Sequence, residues 1–152
     1  MIKISIQQED FDVSSEINSM SSKTIGAIAT FSGIVRDSSE SSSIISLTLQ
    51  HYPGMSEAAL EKIANEAMKE WSLKAVRIIH RVGRLLPEDT IVFVGCASAH
   101  RQAAFDGCRF IMDFLKTDAP FWKSEETQDG SFWISEREKD KKASESWLLK
   151  NT

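Results

Sequence analysis

Apolar and polar residues alternate at the start of the chain. Ile2, Ile4 and Ile6 are separated by Lys3 and Ser5, the two-residue period of a half-buried strand. Asp12 then stands where it can cap a short helix over Val13–Met20. The stretch Thr24–Arg36 (TIGAIATFSGIVR) is small, β-branched and aromatic, with no charge before its last residue. That pattern predicts a central strand, with Gly26 and Gly33 marking a bulge or a close backbone approach. Asp37–Ser43 (DSSESSS) reads as a mobile polar loop, and Ile44–Tyr52 as a further strand stopped by Pro53-Gly54. From a Ser56 cap to about Trp71, the residues Leu60, Ile63, Ala64, Ala67 and Met68 lie on one stripe of a helix.

Lys74–Gly83 and Thr90–Ala97 predict two more strands, the second apolar on both faces and therefore central. A second helix is predicted from Arg101 to Ala119, along a stripe of Ala104, Phe105, Cys108, Ile111, Met112 and Leu115. Met112 and Lys116 are four apart and share a face of it. Pro120 stops this helix, because it has no N–H to give and restricts the residue before it. A hairpin follows, Phe121–Glu126 and Ser131–Ser135 around Gln128-Asp129-Gly130. The charged arm from about Glu136 carries Trp147, Leu148 and Leu149, an apolar cluster suited to docking. His51 and His80 fall inside strand patterns and read as structural.

Length and composition narrow the class. A chain of 152 residues is expected to form one domain spanning 1–152, with the arm from about 136 attached to it. A net charge of −4 and a pI near 5.4 argue against a general nucleic-acid binder. Cys96 and Cys108 lack metal or disulfide-framework spacing and read as buried free thiols. The N-terminus lacks the apolar run of a signal peptide, and no segment has the length of a membrane span, so a soluble cytoplasmic protein is expected. Phosphate-loop, dinucleotide, metal and Ser-His-Asp patterns are absent from the sequence, and no cofactor is expected.

Against that acidic background the candidate chemistry is cationic. Arg36 ends a strand before the serine-rich loop. His100 and Arg101 fall where a strand gives way to a helix N-terminus, a place that favours anions. Lys116 and Lys123 lie on either side of Pro120, which is expected to turn the chain so that both face one pocket. Such a set suits anion binding, oxyanion stabilisation and lysine acid–base work, with the reactive group arriving on a substrate or partner.

The segments TFSGIVRD, LTLQHYPGMSEAAL, VRIIHRVGRL, IVFVGCASAHRQAAF, FIMDFLKTDAPFWKSE and FWISERE, in this order, resemble the catalytic (large) subunit family of molybdopterin synthase. The resemblance runs from about Ile25 to Arg137. Gln50 stands where the family usually has Glu, and the loop after Arg36 is richer in serine than is usual. It implies a mixed α/β (α+β) fold, an α/β hammerhead with an additional antiparallel sheet. It also implies an enzyme that moves sulfur from the C-terminal Gly-Gly thiocarboxylate of a small ubiquitin-like subunit onto cyclic pyranopterin monophosphate. The product is the dithiolene of molybdopterin, made in a heterotetramer with a homodimer of large subunits at its centre. The family's substrate-binding positions fall on Arg36, His100, Arg101, Lys116, Lys123, Ser124 and Glu125, with Lys116 and Lys123 catalytic. Phe31, Met112 and Arg137 match the pocket for the partner's tail and its surroundings. The alternative that stays open is a non-catalytic module that binds a phosphorylated metabolite and docks a ubiquitin-like partner.

Overall fold

Strands whose side chains have no outlet to water form the spine of the molecule. The computed structural model describes residues 1–38, 43–134, 142–143 and 145–148. In chain order the elements are β1 (Ile2–Gln7), α1 (Val13–Met20), β2 (Ala27–Ile34), β3 (Ser46–His51), α2 (Met55–Trp71) and β4 (Ala75–Arg81). They continue with β5 (Gly83–Leu85), β6 (Thr90–Ser98), α3 (Arg101–Leu115), β7 (Phe121–Thr127) and β8 (Gly130–Ile134). Two four-stranded sheets result, ordered β1-β4-β6-β2 and β5-β3-β7-β8. β1 and β4 run parallel, and the other pairs described are antiparallel.

β4 and β6 are inner strands, covered on both faces, which explains their near-continuous apolar sequence. On one face, α2 and α3 lay Leu60, Ala64, Ala67, Cys108 and Ile111 against Val76, Ile78, Val94 and Cys96. On the other, α1 brings Met20 onto Ala75 and Ala97. Arg77 is buried on that side, and its guanidinium is satisfied by Glu16 at 2.7 Å, the Ser5 hydroxyl and two backbone carbonyls. The second sheet joins the first through Val35, Leu47, Leu49, Val82 and Leu85, with Phe121 packed against them. Cys96 and Cys108 are buried free thiols, as expected. A hydrogen bond with Cys108, followed by burial, pushes the Cys96 thiol up, so it stays protonated.

Several sequence expectations are corrected by this arrangement. β2 is an edge strand rather than a central one, and Phe31 and Ile34 are exposed on it. Its uncharged sequence instead suits one face laid on α3, with Ala29 in the core. Gly33 does mark a register shift, at Gly33/Ile34. Gly26 is the predicted close approach, since a Cβ there would lie 2.2 Å from the Ala99 carbonyl oxygen. α2 is capped by Gly54, with φ +86, whose N–H donates to the Glu57 carboxylate at 2.6 Å. Ser56 lies inside the helix and is buried. α3 stops at Leu115 instead of reaching Ala119. Trp147 docks inside the chain, edge-on to Trp71 and Phe110, with its indole N–H 2.6 Å from Asp113. Ser38 and Ser43 are bridged, while residues 39–42 of the serine-rich loop, Leu149 and most of the charged arm lie outside the described residues. Among the described residues no helix is long and apolar enough to cross a membrane.

Gly26→Ala is expected to destabilise the fold by about 1–3 kcal/mol, because the new methyl group meets backbone that has to move. Urea unfolding checks this, and an unchanged midpoint would show that the β2–Ala99 approach is not tight.

Candidate functional site

The chain between α3 and β7 is held by its own backbone and by two other elements. The Thr117 hydroxyl donates to the Asp113 carbonyl at 3.1 Å, and the Thr117 and Asp118 amides both turn back to Phe114. These contacts satisfy carbonyls of the last helical turn that lack intrahelical partners. Ser56 of α2 donates its hydroxyl to the Pro120 carbonyl at 2.9 Å and accepts the Tyr52 amide at 2.9 Å. Lys116 is the C-cap of α3 and exposed, while Lys123 is partly buried on β7, paired with Leu49 of β3 and Ile134 of β8. Strand side chains alternate, so Phe121, Lys123 and Glu125 share the face that holds Leu47 and Leu49. Trp122 and Ser124 occupy the opposite face, where Trp122 meets Tyr52 with ring centroids 5.9 Å apart.

Beneath this segment lies His80 of β4, with 5% of its surface exposed. Its ring stacks on Phe121 at 4.0 Å and 11°. Nδ1 is 2.9 Å from the Arg81 carbonyl, which accepts only, so Nδ1 carries the proton. Burial is the main force lowering the pKa of His80 from 6.5 to about 4; the bond to Arg81 opposes it, and the charges of Lys123, Lys116 and His51 reinforce it. Both lysines therefore act on one buried, neutral ring. Sequence reasoning assigned His80 to structure alone. Its strand position carried no sign that Phe121 of the second sheet would stack on the ring.

The remaining candidates divide between two ends of the first sheet. β2 runs antiparallel to β6, so Arg36, just beyond β2, lies at the Thr90 end. The hydrogen bonds Val35 to Asp89 and Glu88 to Val35, both 2.9 Å, fix it there. α3 folds back along β6, which brings Lys116 to that same end. His100, the N-cap of α3, and Arg101 sit at the far end of the helix. Fifteen and sixteen steps at 1.5 Å per residue place Arg101 and His100 roughly 23 Å from Lys116. Within a single chain, Arg36 and Lys116 thus lie at one end of the sheet, and His100 and Arg101 at the other.

A hollow of about 420 Å³ beside Arg36 is lined by Val35, Arg36, Asp37, Ser38, Pro87 and Glu88. Asp37 and Glu88 share that lining with Arg36, so an anion would need further cations. Phe31 is 39% exposed and Met112 is 8% exposed. Phe31 shares the α3-covered face of β2 with Ala29. Ser124 points away from Lys123, and Glu125 towards its side. Arg137 lies outside the described residues. Among the described residues, no group of three His, Cys, Asp or Glu side chains can hold a metal.

The fold is that of a mixed α/β protein with two four-stranded sheets. Comparison with known proteins makes this specific. The MoaE protein family matches residues 6–118. The chain is 51% identical over 146 residues to the molybdopterin synthase catalytic subunit of Pseudomonas aeruginosa, covering 95% of this chain and 97% of that one. It is 52% identical over 122 residues to that of Escherichia coli, covering 80% and 81%. The molybdopterin biosynthesis MoaE protein of Burkholderia ambifaria superposes with a TM-score of 0.83 at 48% identity, over 97% of this chain and 98% of that one. A molybdopterin synthase structure from Staphylococcus aureus gives 0.81 at 28% identity, over 86% and 95%. The chain belongs to the MoaE family, whose curated relatives are named molybdopterin synthase catalytic subunits.

The lowered pKa of His80 has a thermodynamic consequence with a definite sign. As pH falls, the unfolded chain takes up this proton first, so the stabilisation is complete above about 6.5 and is lost progressively down to about 4. The loss is on the order of 3 kcal/mol. His80→Phe is expected to flatten the unfolding free energy between pH 7 and 4.5 relative to wild type, measured by urea titration at each pH. An equally steep profile would mean that His80 is not held neutral by the fold.

Proposed function

We propose that this chain is the catalytic subunit of a molybdopterin synthase, transferring sulfur to cyclic pyranopterin monophosphate from the C-terminal thiocarboxylate of a small ubiquitin-like subunit. The observation that carries the reading is the placement of Lys116 and Lys123 on either side of Pro120, with Arg36 at the same end of the first sheet as Lys116. Membership of a family of catalytic subunits supports the same chemistry. Lys116 meets the thiocarboxylate carbonyl and stabilises the charge that develops there, or moves a proton, during transfer. Lys123 orients the pterin, with Glu125 on its side of β7. Arg36 takes the phosphate.

His100 and Arg101 reach the same substrate when a second copy supplies them, because their own helix holds them away. We therefore place a homodimer at the centre of a heterotetramer, each site built by two large subunits. Phe31, on the exposed edge, and Met112, on α3, line the approach of the partner's tail. Arg137 adds a basic group near it. The location is cytoplasmic, in keeping with two thiols that stay unpaired.

Reconstitution tests the reading. Protein mixed with thiocarboxylated small subunit and precursor is expected to yield the dithiolene product. Lys116→Ala and Lys123→Ala are each expected to slow formation by on the order of a hundredfold while leaving partner affinity within a few-fold. Binding of the phosphorylated precursor without product would favour the non-catalytic module instead.

A further inference from the structure

We propose that His80 is a positioning residue for the lysine pair: its ring, tied to β4 and stacked on Phe121, sets where β7 begins and so where Lys123 stands relative to Lys116. The inference rests on the function proposed above. Three contacts carry it. The Nδ1–H donates to the Arg81 carbonyl at 2.9 Å, just past His80↔Val92, where the β4–β6 register ends. That bond fixes the plane of the ring. Phe121 then lies nearly parallel to the ring at 4.0 Å, and Phe121 is the first residue of β7. Lys123 is two residues on, along the same face of the strand. From the other side, the Ser56 hydroxyl holds the Pro120 carbonyl at 2.9 Å, so the segment between the lysines is gripped from α2 and from β4 together.

The residue type suits the task. An aliphatic side chain here would neither stack nor bind the Arg81 carbonyl. A permanently charged one would repel the groups that face this position, which are Lys116 from α3, Lys123 from β7 and His51 from β3. Glu57, 3.6 Å from His51, is the carboxylate that faces that histidine in turn. A neutral aromatic ring with one N–H meets every requirement. It touches no reacting atom, and it acts through Phe121.

The test compares His80→Leu, His80→Phe and Phe121→Leu in the reconstituted assembly with thiocarboxylated small subunit and precursor. His80→Leu is expected to lower kcat by on the order of ten- to a hundredfold, the scale of a small misplacement, with KM for the precursor and small-subunit affinity within about threefold. His80→Phe restores the stack and recovers most of that loss. Phe121→Leu reproduces the loss, and the double leucine variant is no slower than either single one, because both remove the same interaction. Wild-type kcat in His80→Leu, or losses that multiply in the double variant, would overturn the proposal. Side-chain NMR signals of Lys116 and Lys123 in the free protein decide it independently of activity. They are expected to shift in His80→Leu and to stay in place in His80→Phe, and unmoved signals in His80→Leu refute the positioning role. A wild-type assembly that makes no product, while those lysine signals behave as expected, counts against the proposed function and not against the positioning role.

Discussion

The turn at Pro120 stands where the two sheets meet, and it is held by contacts that come from distant parts of the sequence. Ser56 reaches it from α2, His80 from β4, and Phe121 closes it from within by donating its amide to the Ala119 carbonyl. Proline fixes one backbone angle and removes one donor, but it does not choose the direction in which the chain leaves. The stack and the hydroxyl supply that direction. Without them α3 would still end, because Thr117 and the Phe114 carbonyl satisfy its last turn. β7 would then lose the contact that joins it to the first sheet, and the two lysines would have no fixed relation.

Helix α3 has the opposite effect on the other cations. It is a single stretch of regular helix with Lys116 at one end and His100 at the other, so its length sets their separation. Burial of Ala104, Gly107, Cys108, Ile111, Met112 and Leu115 holds the whole rod against the sheet. No adjustment of side chains closes a gap of roughly 23 Å. The same rigid element that places Lys116 therefore keeps His100 and Arg101 of its own chain away from it.

Much of the architecture was legible from hydrophobic periodicity. The Asp12 cap with α1, the central β6 and the hairpin after Pro120 all follow from it. The errors have physical causes. A strand lying with one face on a helix and its edge uncovered can be as free of charge as a central strand, which is how β2 misled. Ser56 is a good capping residue by type, yet its hydroxyl serves the Pro120 carbonyl across the fold, and no local pattern contains that partner. The cations were recognisable one by one, because an acidic chain makes each of them conspicuous. Which end of the sheet each occupies was not, since that depends on the direction of α3 along β6. His80 was hidden for a related reason: alternation within β4 shows that a residue is inward, but not which side chains of another sheet it will meet.

The two lysines are rooted in parts of the molecule that differ in how hard they are to open. Lys116 caps a helix packed on β2 and on β6, an inner strand that is buried along most of its length. Lys123 belongs to a sheet whose last strand, β8, is exposed along its whole length. Regions with few buried apolar contacts open locally at a fraction of the global unfolding cost. Excursions of the hairpin can therefore separate the pair while the rest of the molecule stays folded. The fraction of time the site spends assembled is then set by the local opening free energy of β7 and β8. A partner that covers this hairpin would raise that fraction by mass action, without altering a single bond among the residues that do the chemistry.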